Sequence, residues 1–177
     1  MNTICFGDSN TYGYDPRSYL GVRYNPDSRW VDILAVETGW TFYNMGQNGR
    51  EIPAAAPDFP ADTDLLIVML GTNDLLQGRS PEQAAERLER FLSGIFLDRS
   101  KILVIAPPPV KRGAWVLSPQ LIDDSRTFSR LCQTLAEHLG IRFADAGKWD
   151  IPLAYDGVHF TEQGHRAFAA RLLEELK

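Results

Sequence analysis

DLLIVMLGTND, residues 64–74, is the stretch that decides the fold. Leu65 to Leu70 are apolar without a break, so this is not the in-out alternation of a half-exposed strand. A continuous run this short, ended by glycine and polar residues, reads as a strand covered on both faces, the habit of parallel sheets. KILVIA at 101–106 has the same character. Strands are predicted at Asn2–Phe6, Thr41–Asn44, Asp64–Leu70, Lys101–Ala106 and Ile141–Ala144, with helical patterns between them. Ser28 is the expected cap of a segment through Trp30, Ile33 and Leu34 that stops at Gly39. Ser80-Pro81-Glu82-Gln83 combines a cap, a first-turn proline and a capping-box glutamine. Ala84, Leu88, Phe91, Leu92 and Ile95 follow on one helical face. Ser118-Pro119 opens a helix closed by Gly140, and Thr161 caps the last one, with Phe168, Leu172 and Leu176 inward. The alternation predicts a three-layer α/β/α sandwich on a five-stranded parallel sheet.

The chain of 177 residues is read as a single domain, 1–177, able to bury a full core. No internal repeat or linker breaks it. Its formal charge of −5, with no run of Lys and Arg, argues against nucleic acid and against stable membrane association. The longest apolar run is too short to span a bilayer, and no signal peptide is read at the start. Cys5 and Cys132 both sit among core-type neighbours and read as reduced thiols, which points to the cytoplasm. Homo-oligomer formation is left open.

In open parallel sheets, ligands bind beyond the carboxyl ends of the strands. Those exits carry Gly7-Asp8-Ser9-Asn10, then Asn44-Met45-Gly46-Gln47-Asn48-Gly49, then Gly71-Thr72-Asn73-Asp74, and Pro107-Pro108-Pro109. Beyond the fifth strand, Asp156-Gly157-Val158-His159 precedes the last helix. A serine hydroxyl needs an imidazole to take its proton, and the imidazole needs an acceptor to fix its tautomer. Ser9 is therefore the candidate nucleophile, His159 the base and Asp156 its orienter. The N–H groups of Ser9 and Gly46 and the carboxamide of Asn73 are the candidate oxyanion hole. The ensemble predicts acyl transfer, with no cofactor and no metal.

GDSN at residues 7–10, the glycine of NMGQNG, GTND at 71–74 and DGVH at 156–159 resemble the four blocks of the SGNH hydrolases, the GDSL esterase/lipase family. The blocks stand in the family's order. What the resemblance implies is a flavodoxin-like sandwich and a Ser–His–Asp esterase that passes through an acyl-enzyme. Asn10 stands where many members carry leucine, a departure that bears on substrate preference. The Ala106–Val110 stretch is similar to one in small arylesterase-like and acyltransferring members.

Plainer roles compete at each position. Ser9 could cap a first helix, but Gly13, Pro16 and Gly21 follow with no apolar period. His138 in a last helical turn and His165 in a first turn read as surface or packing residues, since the dipole at a helix start opposes an imidazolium. Asn73, Gly46 and Gly49 could each be turn residues. Asp8 and Asp74 read as acceptors for loop amides that hold the exits rigid. Gly71 to Gly78 imitates a phosphate loop, but six residues separate its glycines and Arg79 replaces the lysine. No serine lies in G-x-S-x-G, which excludes the usual α/β-hydrolase turn. Tyr12, Tyr14, Tyr19, Tyr24, Trp115 and Trp149 are placed near the catalytic edge, where aromatics could line a small acyl pocket or stack on an aryl or sugar leaving group. The expected partner is a small-molecule ester with a short, acetyl-like acyl group. Lysophospholipase or thioesterase action, acyl transfer to an alcohol, and a non-catalytic binding module are the alternatives.

Overall fold

The computed structural model describes every residue of the chain except Tyr19, so that one predicted aromatic lies outside the described residues. The apolar runs form β1 (Asn2–Gly7), β2 (Thr41–Gly46), β3 (Leu65–Met69), β4 (Ile102–Ala106) and β5 (Arg142–Asp145). They hydrogen-bond in the order β2-β1-β3-β4-β5, every neighbour parallel. Boundaries move by a residue or two from the predicted ones, as strand ends do. β1 and β3 lie side by side in the middle of the sheet, so the loops leaving them emerge at its centre.

The alternation of side chains along β3 divides the core. Leu66 and Val68 face one way and meet Leu88 and Phe91 of α4 (Pro81–Ser93) and Phe128 and Cys132 of α5 (Pro119–Leu139). Leu65, Ile67 and Met69 face the other way, onto Trp30 and Leu34 of α2 (Trp30–Thr38) and Phe168 and Leu172 of α6 (Glu162–Glu175). With both faces covered, the strand has no room for a polar position, which is why its sequence is unbroken. Cys5 and Cys132 are unbonded and lie in opposite layers.

Three of the four predicted caps are made. Ser80 and Gln83 close a full capping box, Ser118 accepts from Gln120 N–H, and Thr161 accepts from Gly164 N–H. Ser28 does not cap α2. It lies in a single 3₁₀ turn, Pro26–Ser28, and Arg29 takes the cap position without a side-chain bond. The Ser28 hydroxyl instead donates to Asp27 and accepts from Arg166, which ties that turn to α6.

Two one-turn helices were not foreseen: α1 (Ser9–Tyr12) directly after β1, and α3 (Thr72–Leu76) after β3. Both are too short to show an apolar period. α1 is capped by Asp8 and ended by Gly13, whose φ of 88° suits the left-handed turn. α3 begins after Gly71, where φ is 116° and an added Cβ would lie 2.2 Å from the Phe128 ring. Only glycine satisfies both the dihedral and the space at that exit.

Candidate active site

Ser9 opens α1 at the centre of the sheet's carboxyl edge. Its Oγ is 2.9 Å from Nε2 of His159, and Nδ1 of His159 is 2.6 Å from Oδ2 of Asp156. The three side chains are buried and aligned in that order. The other oxygen of Asp156 accepts the backbone N–H groups of Val158 and His159 at 2.9 and 3.0 Å. Burial alone would raise the Asp156 pKa. The bond from the His159 ring and the two backbone donors outweigh it and hold the carboxyl below its usual range. An ionised carboxylate there accepts a hydrogen bond from Nδ1–H and fixes that tautomer, leaving the lone pair of Nε2 directed at the serine hydroxyl.

The loop bearing Asp156 and His159 is held by a second loop. Lys111 N–H donates to Gly157 O at 2.9 Å, Ala114 N–H to Tyr155 O at 3.0 Å, and Trp115 N–H to Asp156 O at 3.1 Å. The same turn brings the Trp115 ring edge-on to His159, 5.0 Å between centroids. On the other side, the Tyr14 ring lies 4.6 Å from the His159 ring. Ser9, Tyr14, Asn48, Gly49, Asn73, Trp115 and His159 enclose a pocket of about 280 Å³. The remaining predicted aromatics lie elsewhere. Trp149 is in the core against Phe168, Tyr24 is buried with its hydroxyl on Phe160 O, and Tyr12 lies under the Arg23 guanidinium.

Gly46 does not belong to the pocket, and the expectation that it donates to an oxyanion is corrected. It is the last residue of β2, in register with Gly7, and its N–H donates to Asn44 Oδ1 at 2.9 Å. Its missing side chain serves another end: a Cβ there would lie 2.1 Å from Tyr12 N, so glycine lets β2 abut α1. Three residues further on, past the end of the strand, Gly49 lines the pocket. The signal that separates the two glycines is position. The Gly46 N–H is taken by the Asn44 side chain, two residues back on the same strand.

Asn73, on α3, faces the pocket from the third exit. One N–H of its carboxamide donates to Arg50 O at 3.1 Å, and the second remains for a ligand. Arg50 itself was not anticipated. Its guanidinium spans Gly7 O at 2.9 Å, Met45 O and Gln47 Oε1, and lies 4.2 Å over the Phe6 ring. It thus ties together the exits of β1 and β2 and, through its carbonyl, that of β3.

Asp74 completes this bracing, as an acceptor for loop amides. It is fully buried, accepts Ile52 N–H at 2.8 Å and pairs with Arg87 Nε at 3.0 Å. Burial raises its pKa, partly offset by those two donors. Asp74→Ala is expected to cost about 3 kcal/mol in urea denaturation, the low end for a broken buried pair because Arg87 keeps some water. A loss below about 0.5 kcal/mol, the level of an ordinary surface change, would show that the loop holds itself. Asp8 accepts Asn10 N–H at 2.9 Å. Burial pushes its pKa up to about 6, against the opposing pull of that N–H and of His159 and Arg50.

The other histidines do not compete for the role of base. His138 is exposed, with Nε2 3.8 Å from Glu89. His165 is buried between the rings of Tyr24 and Phe160, and neither ring nitrogen has a partner among the described residues. Burial, helped by Arg29 and His159, pushes its pKa down to about 3, so it stays neutral.

Known proteins with this architecture carry the comparison further. The chain resembles the aryl esterase of M. smegmatis, at 27% identity and a TM-score of 0.79 over 99% of this chain and 97% of that one. A carbohydrate acetylesterase from Sinorhizobium meliloti shares the fold at 23% identity and a TM-score of 0.80, over 99% and 97%. A lipolytic protein of the G-D-S-L family from Veillonella parvula does so at 24% and 0.71, over 98% and 97%. No curated protein matches the chain. The family model of the GDSL-like lipases and acylhydrolases matches residues 5–167, a span that takes in all four strand-exit blocks, and the chain belongs to that family.

Proposed function

We propose that the protein is a serine esterase that hydrolyses small carboxylic esters through an acyl-enzyme on Ser9, with His159 as general base and Asp156 as its orienter. The observation that carries this reading is the unbroken Ser9–His159–Asp156 line, 2.9 and 2.6 Å, opening into the pocket. His159 Nε2 takes the hydroxyl proton as Oγ attacks the ester carbonyl carbon. The oxyanion that forms is held by the N–H groups of Ser9 and Gly49 and the free N–H of Asn73. On collapse, the imidazolium gives its proton to the leaving alcohol. Water then repeats the attack on the acyl-serine, with His159 again the base, and the acid departs.

Pocket size and lining support a short acyl group and a neutral leaving group. About 280 Å³ falls just below the usual range of small-molecule sites, and among the described residues His159 is the one titratable group of the wall apart from the Tyr14 phenol. Trp115 and Tyr14 supply flat apolar faces for an aryl or sugar ring. The unbonded thiols of Cys5 and Cys132 suit a reducing compartment and support a cytoplasmic location. Among the described residues, no helix is long and apolar enough to cross a membrane.

The test is a series of p-nitrophenyl esters from acetyl to dodecanoyl, run beside acetylated sugars, a lysophospholipid and an acyl thioester. kcat/KM is expected to be highest for acetyl and to fall steeply with chain length. A preference for the long chains or the lysophospholipid would overturn the short-acyl reading. Absence of turnover, together with no labelling of Ser9 by a fluorophosphonate, would identify a binding module instead.

A further inference from the structure

We propose that Asn10 is a positioning residue for the general base, its carboxamide clamping the backbone on either side of His159. Asn10 is buried on α1, one residue beyond the nucleophile. Its Nδ2 donates to Val158 O at 3.2 Å, and its Oδ1 accepts Phe160 N–H at 2.9 Å. A donor meets an acceptor on both sides, so the partners themselves dictate which way the amide is turned. The two bonds bracket one residue, His159.

The clamp is anchored at its other end. The Asn10 carbonyl accepts the indole N–H of Trp30 at 2.9 Å, and that ring packs on Phe168 in the α2/α6 layer. Bonds from Asp156 and from Ala154 N–H shape the 154–160 loop from within. The Asn10 pair does something different: it sets the distance between that loop and the helix carrying Ser9. The Oγ–Nε2 separation of 2.9 Å is thus held from the backbone as well as by the hydrogen bond itself.

This assignment replaces the expectation that Asn10 tunes substrate preference, since Asn10 is not among the residues enclosing the pocket. Leucine, which many family members carry at the matching position, has similar volume but can make neither bond. It would leave the buried N–H of Phe160 without an acceptor. A drift of about 1 Å between nucleophile and base is worth roughly 10²-fold in rate.

The experiment compares Asn10→Leu and Asn10→Ser with the parent on p-nitrophenyl acetate. kcat and KM are measured separately, per folded site counted by fluorophosphonate labelling, together with the rate of that labelling. The expected result is a fall of roughly 10²-fold in kcat. KM should stay within about threefold, the pattern of a contact that matters at the transition state. The labelling rate should fall in parallel, because it also needs an activated hydroxyl. A kcat within about threefold of the parent for either variant overturns the clamp. Should Asn10→Leu not fold, Asn10→Ser decides, being smaller than asparagine and unable to span both partners. On the unaltered protein, the Phe160 amide is expected to exchange with solvent as slowly as the amides of β3, and rapid exchange overturns the clamp as well. The inference rests on the Ser9–His159 reading, and the outcomes separate the two. Turnover retained in Ser9→Ala defeats that reading, whereas an inert Ser9→Ala beside fully active Asn10 variants defeats the clamp alone.

Discussion

Ser9→Ala is expected to lower kcat for p-nitrophenyl acetate by about 10⁶-fold, with His159→Ala falling within roughly 10³–10⁶. The change removes one oxygen and leaves the surrounding fold intact: Asp8 still caps α1 through Asn10 N–H, and Gly13 still ends it. The melting temperature should therefore move by no more than a few degrees, which circular dichroism checks. The oxyanion donors survive the substitution, so a residue of roughly 10³-fold over water is expected to persist. Undiminished turnover in Ser9→Ala would remove the nucleophile from the mechanism. Activity that survived His159→Ala and vanished with His165 would move the base to a side chain that is buried and unpartnered.

Asp156→Asn is the second large effect, and its cause is a tautomer. The amide oxygen can still accept the N–H groups of Val158 and His159, so the loop keeps its shape. The amide nitrogen then faces Nδ1, where the carboxylate oxygen stood at 2.6 Å. A donor in that place favours the imidazole with its proton on Nε2, which cannot accept from Ser9. A fall in kcat of roughly 10⁴-fold is expected, the scale for a wrong tautomer in an otherwise intact triad. A loss of less than about tenfold, with the loop unaltered in a crystal structure, would mean that Asp156 serves the backbone of its loop and nothing more. Because its folded pKa is depressed, Asp156 remains ionised as pH falls through the range in which free carboxylates begin to protonate.

How much of this could be read in the chain follows from what each residue has to do. The parallel strands were legible because burial on both faces leaves an unbroken apolar run, as in β3 and β4. Ser9, His159 and Asp156, the side chains proposed to react, were legible because they sit beyond strand ends and differ in chemistry. The glycine proposed to hold the oxyanion was not. Gly46 and Gly49 are the same residue type three positions apart, and only the structure shows that the Asn44 side chain takes the N–H of the first. Arg50 and Asn10 were opaque for a related reason. Their partners are carbonyls and amides of distant loops, and backbone groups leave no mark in a sequence. One-turn helices such as α1 and α3 carry too few residues for a period to appear.

The 150-residue interval between Ser9 and His159 has a consequence for how activity arises. β1 lies between β2 and β3, whereas the loop carrying His159 follows β5, the strand at the far edge of the sheet. Contacts so remote along a chain form late, since the entropy of closing the intervening loop comes before any reward. A refolding molecule will regain its helical signal before it can cleave an ester. Turnover is thus the last property to return, a clock for the moment when the two ends of the polypeptide meet.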